Sequence, residues 1–426
     1  MKTLNLAIIF AAVSMFLGIF VPDAFAQTEE LKKTISSSPP SYSTRTALDF
    51  LYILINGISE VPLLSSPVNG ILILAGVFLA SRKAGIMMII AGLIGAGTAF
   101  VLGADYDLVT FGLFGYNSIL TGMAFWSGPF TKSNGATFVL SILGAMFTAV
   151  VWCAFAHVMG DWFVMGGPAA GWAIPAFTGP FIFTTWVMML ASKRYGHAIW
   201  PSVALTERGN IYLEFASGVT PHSHTLLPDS INPAQKIPKN FRWTAGEFMK
   251  AVLKGISQVT FVADWRTGIF WVVGLSLTFE LAPGTYITPE GVEVSRIFTN
   301  AYTTQWNPAS MLFLGGVVAL IGSAIGLSMG ILQKLPVEEL KEGIHGFNQV
   351  LVMIALTSFL PYTMINLFYA VLATVACSII TPAMQNFFGR WGVPALTGPF
   401  VFTAWVFLWA ITGFEHIPAG LGWGKP

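Results

Sequence analysis

The chain has 426 residues, of which 54% are hydrophobic and only 10% charged, with a mean hydropathy of +0.70 and a formal net charge of +1. A soluble domain carries about 25% charged residues, so this composition excludes a soluble globular protein and indicates a chain that crosses a membrane several times. The absence of a basic surplus excludes a nucleic-acid footprint, and two cysteines within apolar runs, Cys153 and Cys377, provide no basis for a disulfide or a metal site.

In chain order, residues 1–26 read as a secretory signal peptide, with a lysine, a long apolar stretch and the small-residue pattern Ala24-Phe25-Ala26 before Gln27; the alternative is an uncleaved anchor helix. Residues 27–44, rich in serine, threonine and proline, follow as a polar extracytoplasmic tail. Apolar runs of near-spanning length then fall near 67–81, 85–103, 108–127, 136–159 and 170–191. After a polar stretch, five more lie near 267–281, 309–332, 344–359, 361–381 and 393–412. The expected organisation is a first transmembrane repeat at 45–195, a cytoplasmic linker at 196–245 and a second repeat at 246–412, with a C-terminal tail at 413–426. The second repeat carries an extracytoplasmic insert at about 282–308 that the first lacks.

The two halves match phrase by phrase in the same order. "GISEVPLLSSPVNGI" (57–71) pairs with "GISQVTFVADWRTGI" (255–269), and "GYNSILTGMA" (115–124) with "GFNQVLVMIA" (346–355). Between 174–190 and 393–409, ten of seventeen positions are identical. Duplicating an odd number of spans makes the second copy enter the membrane from the opposite side, so the repeat is inverted. That arrangement is typical of transport proteins, whose solute sites lie near the midplane where broken helices meet. With residue 45 outside, most of the 21 basic residues fall on the cytoplasmic side, as the positive-inside rule prefers.

Three groups of residues carry candidate chemistry. In "PAFTGPF" and "PALTGPF", a proline at each end prevents a continuous helix, and Thr178 and Thr397 stand between them with hydroxyls that both donate and accept. Broken backbone at membrane depth survives only where protein or a water-filled path satisfies it. The alternative is a kinked packing helix whose threonines bond their own backbone. Glu60 and Gln258 share one repeat position; both offer acceptor oxygens, which suits a neutral solute rich in N–H donors. The alternative places Glu60 in the solvated interface. Tyr116 and Phe347 are repeat partners, each followed by an asparagine, Asn117 or Asn348, and four residues on by Leu120 or Leu351 on the same helix face. Such a slot would pass a planar molecule and reject a hydrated ion, although aromatic and leucine pairs also occur in ordinary cores.

Together, "GLFGYNSILTG", "IHGFNQVL", the two "P-x-x-T-x-P-F" phrases and the "GIS-[EQ]-V" pair resemble the urea transporter family over about residues 50–412. The resemblance implies an all-α polytopic membrane protein, with two inverted repeats of five transmembrane helices and a short re-entrant pore helix in each. It implies a channel for urea in the plasma or inner membrane, a homotrimer with one pore per subunit, and no cofactor or metal. By the same resemblance, Glu60 and Gln258 on the pore helices would accept urea amide hydrogens, and Tyr116, Phe347 and Phe261 would hold urea edge-on. Leu120 and Leu351 would narrow the path, and Thr178 and Thr397 would supply midpore hydroxyls. Leu63 departs from the pattern, standing where its repeat partner is Phe261 and removing one aromatic wall, while Tyr116 in place of phenylalanine would add a polar edge.

Rival functions find less support. Another small neutral solute, such as a short-chain amide, ammonia, water or glycerol, is compatible with the same residues. The triplet Asn-Pro-Ala occurs at 232–234 and 307–309, but the first copy sits in a polar linker and cannot open an apolar half-helix as in aquaporin-like channels. His157 and Asp161 form a pair too small for a metal-dependent hydrolase, His345 has no acid partner visible in sequence, and no nucleotide-binding loop of the G-x-x-x-x-G-K-[ST] type occurs.

Overall fold

The computed structural model describes residues 48–159 (apart from 65, 129 and 132), 174–192, 243–277, 285–287, 293–295, 314–414 (apart from 361–363 and 392) and 417. The signal peptide, the polar tail, nearly all of the linker, Asp161 and both Asn-Pro-Ala triplets lie outside the described residues.

Among the described residues the first half forms seven helices: α1 (Leu48–Ser59), α2 (Pro67–Ala80), α3 (Arg82–Val101), α4 (Tyr106–Phe111), α5 (Tyr116–Trp126), α6 (Gly135–Met159) and α7 (Gly179–Ser192). The second half repeats them in order as α8 (Ala245–Ser257), α9 (Trp265–Ser276), α10 (Leu314–Leu332), α11 (Val337–Lys341), α12 (Phe347–Phe359), α13 (Met364–Gly389) and α14 (Gly398–Ala410). Between α9 and α10, in the insert, Thr285–Ile287 (β1) pairs antiparallel with Glu293–Ser295 (β2), a small departure from an all-helical chain.

Among the described residues, four helices are long and apolar enough to cross a membrane: α3, α6, α10 over Gly315–Leu332, and α13. The others are too short to span about 30 Å of hydrocarbon at about 1.5 Å per residue. Their ends must therefore be satisfied inside the protein.

Several boundaries differ from the sequence expectation, each for a local reason. The run at 108–127 breaks at Gly112 (φ 103°), and its partner Gly343 (φ 77°) separates α11 from α12. A Cβ at Gly112 would overlap the backbone of Asn56 and Gly57, so the site requires glycine for both space and handedness. The helices α1 and α8 escape a search for spanning runs because α1 has only 12 residues and α8 carries Glu247, Lys250 and Lys254 on one face. A capping box starts α8: Glu247 N–H donates to Thr244 Oγ1 at 3.2 Å, and Thr244 N–H donates to Glu247 Oε2 at 3.1 Å. The run at 361–381 continues through Pro382, which removes the donor that Ser378 O would otherwise accept. Gln333 Nε2 replaces it, donating to Ser378 O at 3.1 Å.

All eight described residues with positive φ fall into four repeat pairs: Leu63 with Phe261, Gly103 with Lys334, Gly112 with Gly343, and Phe177 with Leu396. The halves therefore share a backbone, including its unusual turns. Where they meet, α2 and α9 cross with reciprocal contacts. A Cβ on Gly76 would lie 2.9 Å from Phe270 Cβ, and one on Gly274 would lie 2.6 Å from Asn69 Oδ1. Thr267 Oγ1 donates to Gly76 O at 2.6 Å across this crossing. Exchange of the same positions in both directions is the mark of a two-fold axis. One apolar core draws on both halves, with Trp152, Phe177 and Phe181 from the first and Trp271 and Phe400 from the second.

Close approach also sets a stability test. At Gly268 a Cβ would overlap the Leu253 carbonyl, whereas at Gly97 nothing lies within 4 Å. Gly268→Ala is expected to destabilise the detergent-solubilised protein by about 1–3 kcal/mol, read as a lowered melting temperature. Gly97→Ala should leave the melting temperature unchanged.

Candidate functional site

The site is built around the two proline-broken phrases. Residues 174–176 belong to no helix or strand, Phe177 (φ 48°) turns the chain through the left-handed region, and Pro180 then stands in the first turn of α7. In the second copy Leu396 (φ 53°) makes the same turn, Thr397 is the N-cap of α14, and Pro399 stands in its first turn. A left-handed non-glycine residue costs about 1–2 kcal/mol, so its presence at both matched positions indicates a turn the site requires.

The asparagines satisfy the backbone that this turn frees. Asn117 Nδ2 donates to Phe177 O at 3.0 Å, and its Oδ1 accepts from Phe181 N at 3.1 Å. Asn348 repeats the clamp on Leu396 O at 3.3 Å and Phe400 N at 3.2 Å. Each asparagine thus bridges the break with one donor and one acceptor. Tyr116 adds to the first clamp: its hydroxyl donates to Phe177 O at 2.7 Å and receives Trp152 Nε1 at 3.3 Å. The expected polar edge at Tyr116 is therefore corrected, because its hydroxyl is held by a backbone carbonyl and an indole.

The halves then exchange bonds across the two-fold axis. Trp186 Nε1 donates to Pro394 O at 2.8 Å, and Trp405 Nε1 donates to Pro175 O at 3.1 Å. Both tryptophans lie in the duplicated phrase, so the repeat itself was the sequence signal for a pair whose function only the fold displays. At the centre Thr178 Oγ1 and Thr397 Oγ1 meet at 2.6 Å, although 219 residues separate them. Both threonines are buried, as are Leu120 and Leu351 further along α5 and α12. Phe177 and Phe400 rings pack at 5.2 Å around the same junction.

Glu60 and Gln258 stand at the C-terminal ends of α1 and α8, and both are buried. The helix ends are closed alike. Leu63 N donates to Glu60 O, and Phe261 N donates to Gln258 O, each at 2.9 Å with the donor residue left-handed. Ser59 Oγ accepts from Ser66 N at 3.0 Å, and Ser257 Oγ accepts from Asp264 N at 3.2 Å, which ties each helix end to the helix that follows. Gln258 Nε2 donates to Glu342 O at 2.8 Å, while its Oε1 is buried without a hydrogen-bond partner. Phe261, half-buried, packs its ring 5.9 Å from Phe181 of the first half and 5.4 Å from Phe130. Its partner Leu63 is buried in the same left-handed turn without an aromatic ring, and Phe347 opens α12 half-buried against the core.

Of the rival residues, His157 keeps to its own helix, with Nδ1 2.8 Å from Cys153 O. His345 does have an acid partner, since Nε2 lies 2.6 Å from Glu339 Oε2. That pair belongs to the turn before α12. Among the described residues no three histidine, cysteine, aspartate or glutamate side chains gather as a metal site would need.

The asparagine clamps differ in a measurable way. Asn348→Leu orphans both Leu396 O and Phe400 N, whereas after Asn117→Leu the Tyr116 hydroxyl still serves Phe177 O. Each orphaned buried group costs about 1–3 kcal/mol. Thermal unfolding in detergent should therefore show the larger loss for Asn348→Leu, and equal losses would contradict the assignment.

The model of the urea transporter family matches residues 4–191, 162–282 and 310–420. Urea transporter 1 of Ovis aries is 24% identical over 384 residues, covering 87% of this chain and 79% of its own length. Urea transporter 1 of Rattus norvegicus is 23% identical over 381 residues with the same coverage. Matched over most of its length by this model, the chain belongs to the urea transporter family.

Proposed function

We propose that the protein lets urea cross the membrane passively, down its gradient, along a path where the two broken phrases converge. The observation that carries this reading is the buried, unpartnered oxygen of Gln258, an acceptor that nothing within the described residues satisfies. Urea is planar and neutral, with four N–H donors and one carbonyl. It can bring donors to such an oxygen without shedding an ionic hydration shell. A hydrated cation would lose far more in the same surroundings.

In this reading Glu60 and Gln258 accept urea N–H groups at opposite mouths, and Thr178 and Thr397 meet the solute midway. Phe261, Phe347 and the ring of Tyr116 line the path, with Leu63 giving the outer mouth a weaker wall and Leu120 and Leu351 narrowing it. Asn117 and Asn348 support the path from behind. The termini face outside and the 196–245 linker lies in the cytoplasm, on the argument of basic-residue placement. The large exposed apolar side chains, including Phe50, Met364 and Phe368, suit a protein immersed in a bilayer and leave surface for assembly as a homotrimer.

Transport follows from these roles. Gln258→Leu should lower urea flux into proteoliposomes by about one to two orders of magnitude, because an unpaired N–H costs about 1–3 kcal/mol and each 1.4 kcal/mol of barrier is tenfold. Glu60→Gln keeps an acceptor oxygen of equal reach and should still conduct. Flux should need neither a proton nor a sodium gradient; dependence on either would count against a passive path. Orientation is tested separately: a cysteine introduced at Ser223 should resist an impermeant thiol reagent in intact cells, and efficient labelling would reverse the topology.

A further inference from the structure

The side-chain amide of Gln258 has a fixed orientation. Its Nε2 meets the carbonyl of Glu342 at 2.8 Å, and a carbonyl only accepts, so the reversed amide would oppose two oxygens. Oε1 is therefore the group left for a solute. Glu342 also turns its own carboxylate back onto Lys254, with Nζ to Oε1 at 2.8 Å, and Lys254 precedes Gln258 by four residues on α8. One residue thus grips the end of α8 twice, through its backbone at Gln258 and through its side chain one turn earlier. In the first half the matching positions, Asn56 and Phe111, carry no charge. There Asn56 Nδ2 ties α1 to the corresponding turn by donating to Thr110 O at 2.9 Å. Elsewhere in the 337–345 segment Lys341 pairs with Glu247 at 3.8 Å and Glu339 with His345 at 2.6 Å, whereas Glu338 is in neither pair.

We infer that Glu342 is a positioning residue: its ion pair with Lys254 holds the Glu342 carbonyl against Gln258 Nε2, so that this mouth presents an acceptor and admits solutes that donate N–H. The inference rests on the reading above that Gln258 contacts urea. Loss of the ion pair lets the turn and the amide move independently, and the acceptor is then presented only part of the time. The charged pair is partly exposed, with side chains 21% and 35% accessible, so its effect on overall stability is small and its effect on orientation is the quantity to measure.

The test is urea flux into proteoliposomes for Lys254→Met, Glu342→Gln, Lys254→Arg and the charge-reversed double variant Lys254→Glu/Glu342→Lys. Each is made with Gln258 intact and again with Gln258→Leu, and each is checked for folding by size exclusion. With Gln258 intact, the two neutralising changes should lower flux about three- to tenfold, Lys254→Arg should keep it, and charge reversal should restore it to within about twofold. In the Gln258→Leu background none should lower flux further, because the brace then has nothing to orient. A merely structural role would lower flux by the same factor in both backgrounds, and that result overturns the inference. So does a folded charge-reversed variant that conducts no better than Gln258→Leu, or a loss in Lys254→Arg as deep as in Lys254→Met. If Gln258→Leu by itself conducts like the parent, the solute-contact reading fails instead.

Discussion

The structure depends on one constraint: every peptide group in a broken helix at membrane depth must find a partner within the protein. The breaks before α7 and α14 free carbonyls at Pro175, Phe177, Pro394 and Leu396 and amides at Phe181 and Phe400. Asparagines on α5 and α12 serve the carbonyl nearest the threonine and an amide in the first turn beyond it. The proline carbonyls are served from across the axis by Trp186 and Trp405. Neither half can complete its own break, so the centre of the molecule forms only when the halves meet. The two threonines that bond there are a product of the same closure.

What the duplication preserves is backbone geometry more faithfully than side chains. Leu63 and Phe261, or Gly103 and Lys334, differ in size and chemistry yet hold the same left-handed conformation. Two of these four turn positions close α1 and α8 beside Glu60 and Gln258, or precede α7 and α14 at the threonines. Four of the five described left-handed non-glycine residues, Leu63, Phe261, Phe177 and Leu396, thus adjoin the residues proposed to meet the solute, as strained backbone does at many functional sites, while Lys334 lies elsewhere. Side chains were then free to diverge around a fixed frame, which accounts for Glu60 facing Gln258 and Tyr116 facing Phe347 as repeat partners.

Much of this was legible in the sequence because a duplicated phrase is a strong signal even when each copy is weak. The inverted repeat, the threonine pair and the asparagines beside Tyr116 and Phe347 all follow from reading the two halves against each other. The short helices were harder, since α1 is below spanning length and α8 carries charges on one face; only family resemblance pointed to them. Pro382 misled in the other direction, because Gln333, distant in sequence, supplies the bond that its ring removes. Likewise the partners of Lys254 and His345 lie in a turn whose fold no local pattern declares. The tyrosine hydroxyl was misplaced for the same reason: a side chain's polar tip is assigned by the backbone it reaches, and that backbone was 61 residues away.

The two clamps are unequal in a way that bears on compliance. Phe177 O accepts two bonds, at 2.7 and 3.0 Å, from Tyr116 and Asn117, whereas Leu396 O accepts from Asn348 at 3.3 Å and Phe347 has no hydroxyl to add. A wall tethered by two short springs yields less than one held by a single longer spring. The second junction is therefore the more pliant side of a nominally symmetric centre, and a load on that centre would displace α14 before α7. Rigidity, which a perfect duplication would distribute evenly, is concentrated in the first half by a single phenolic oxygen.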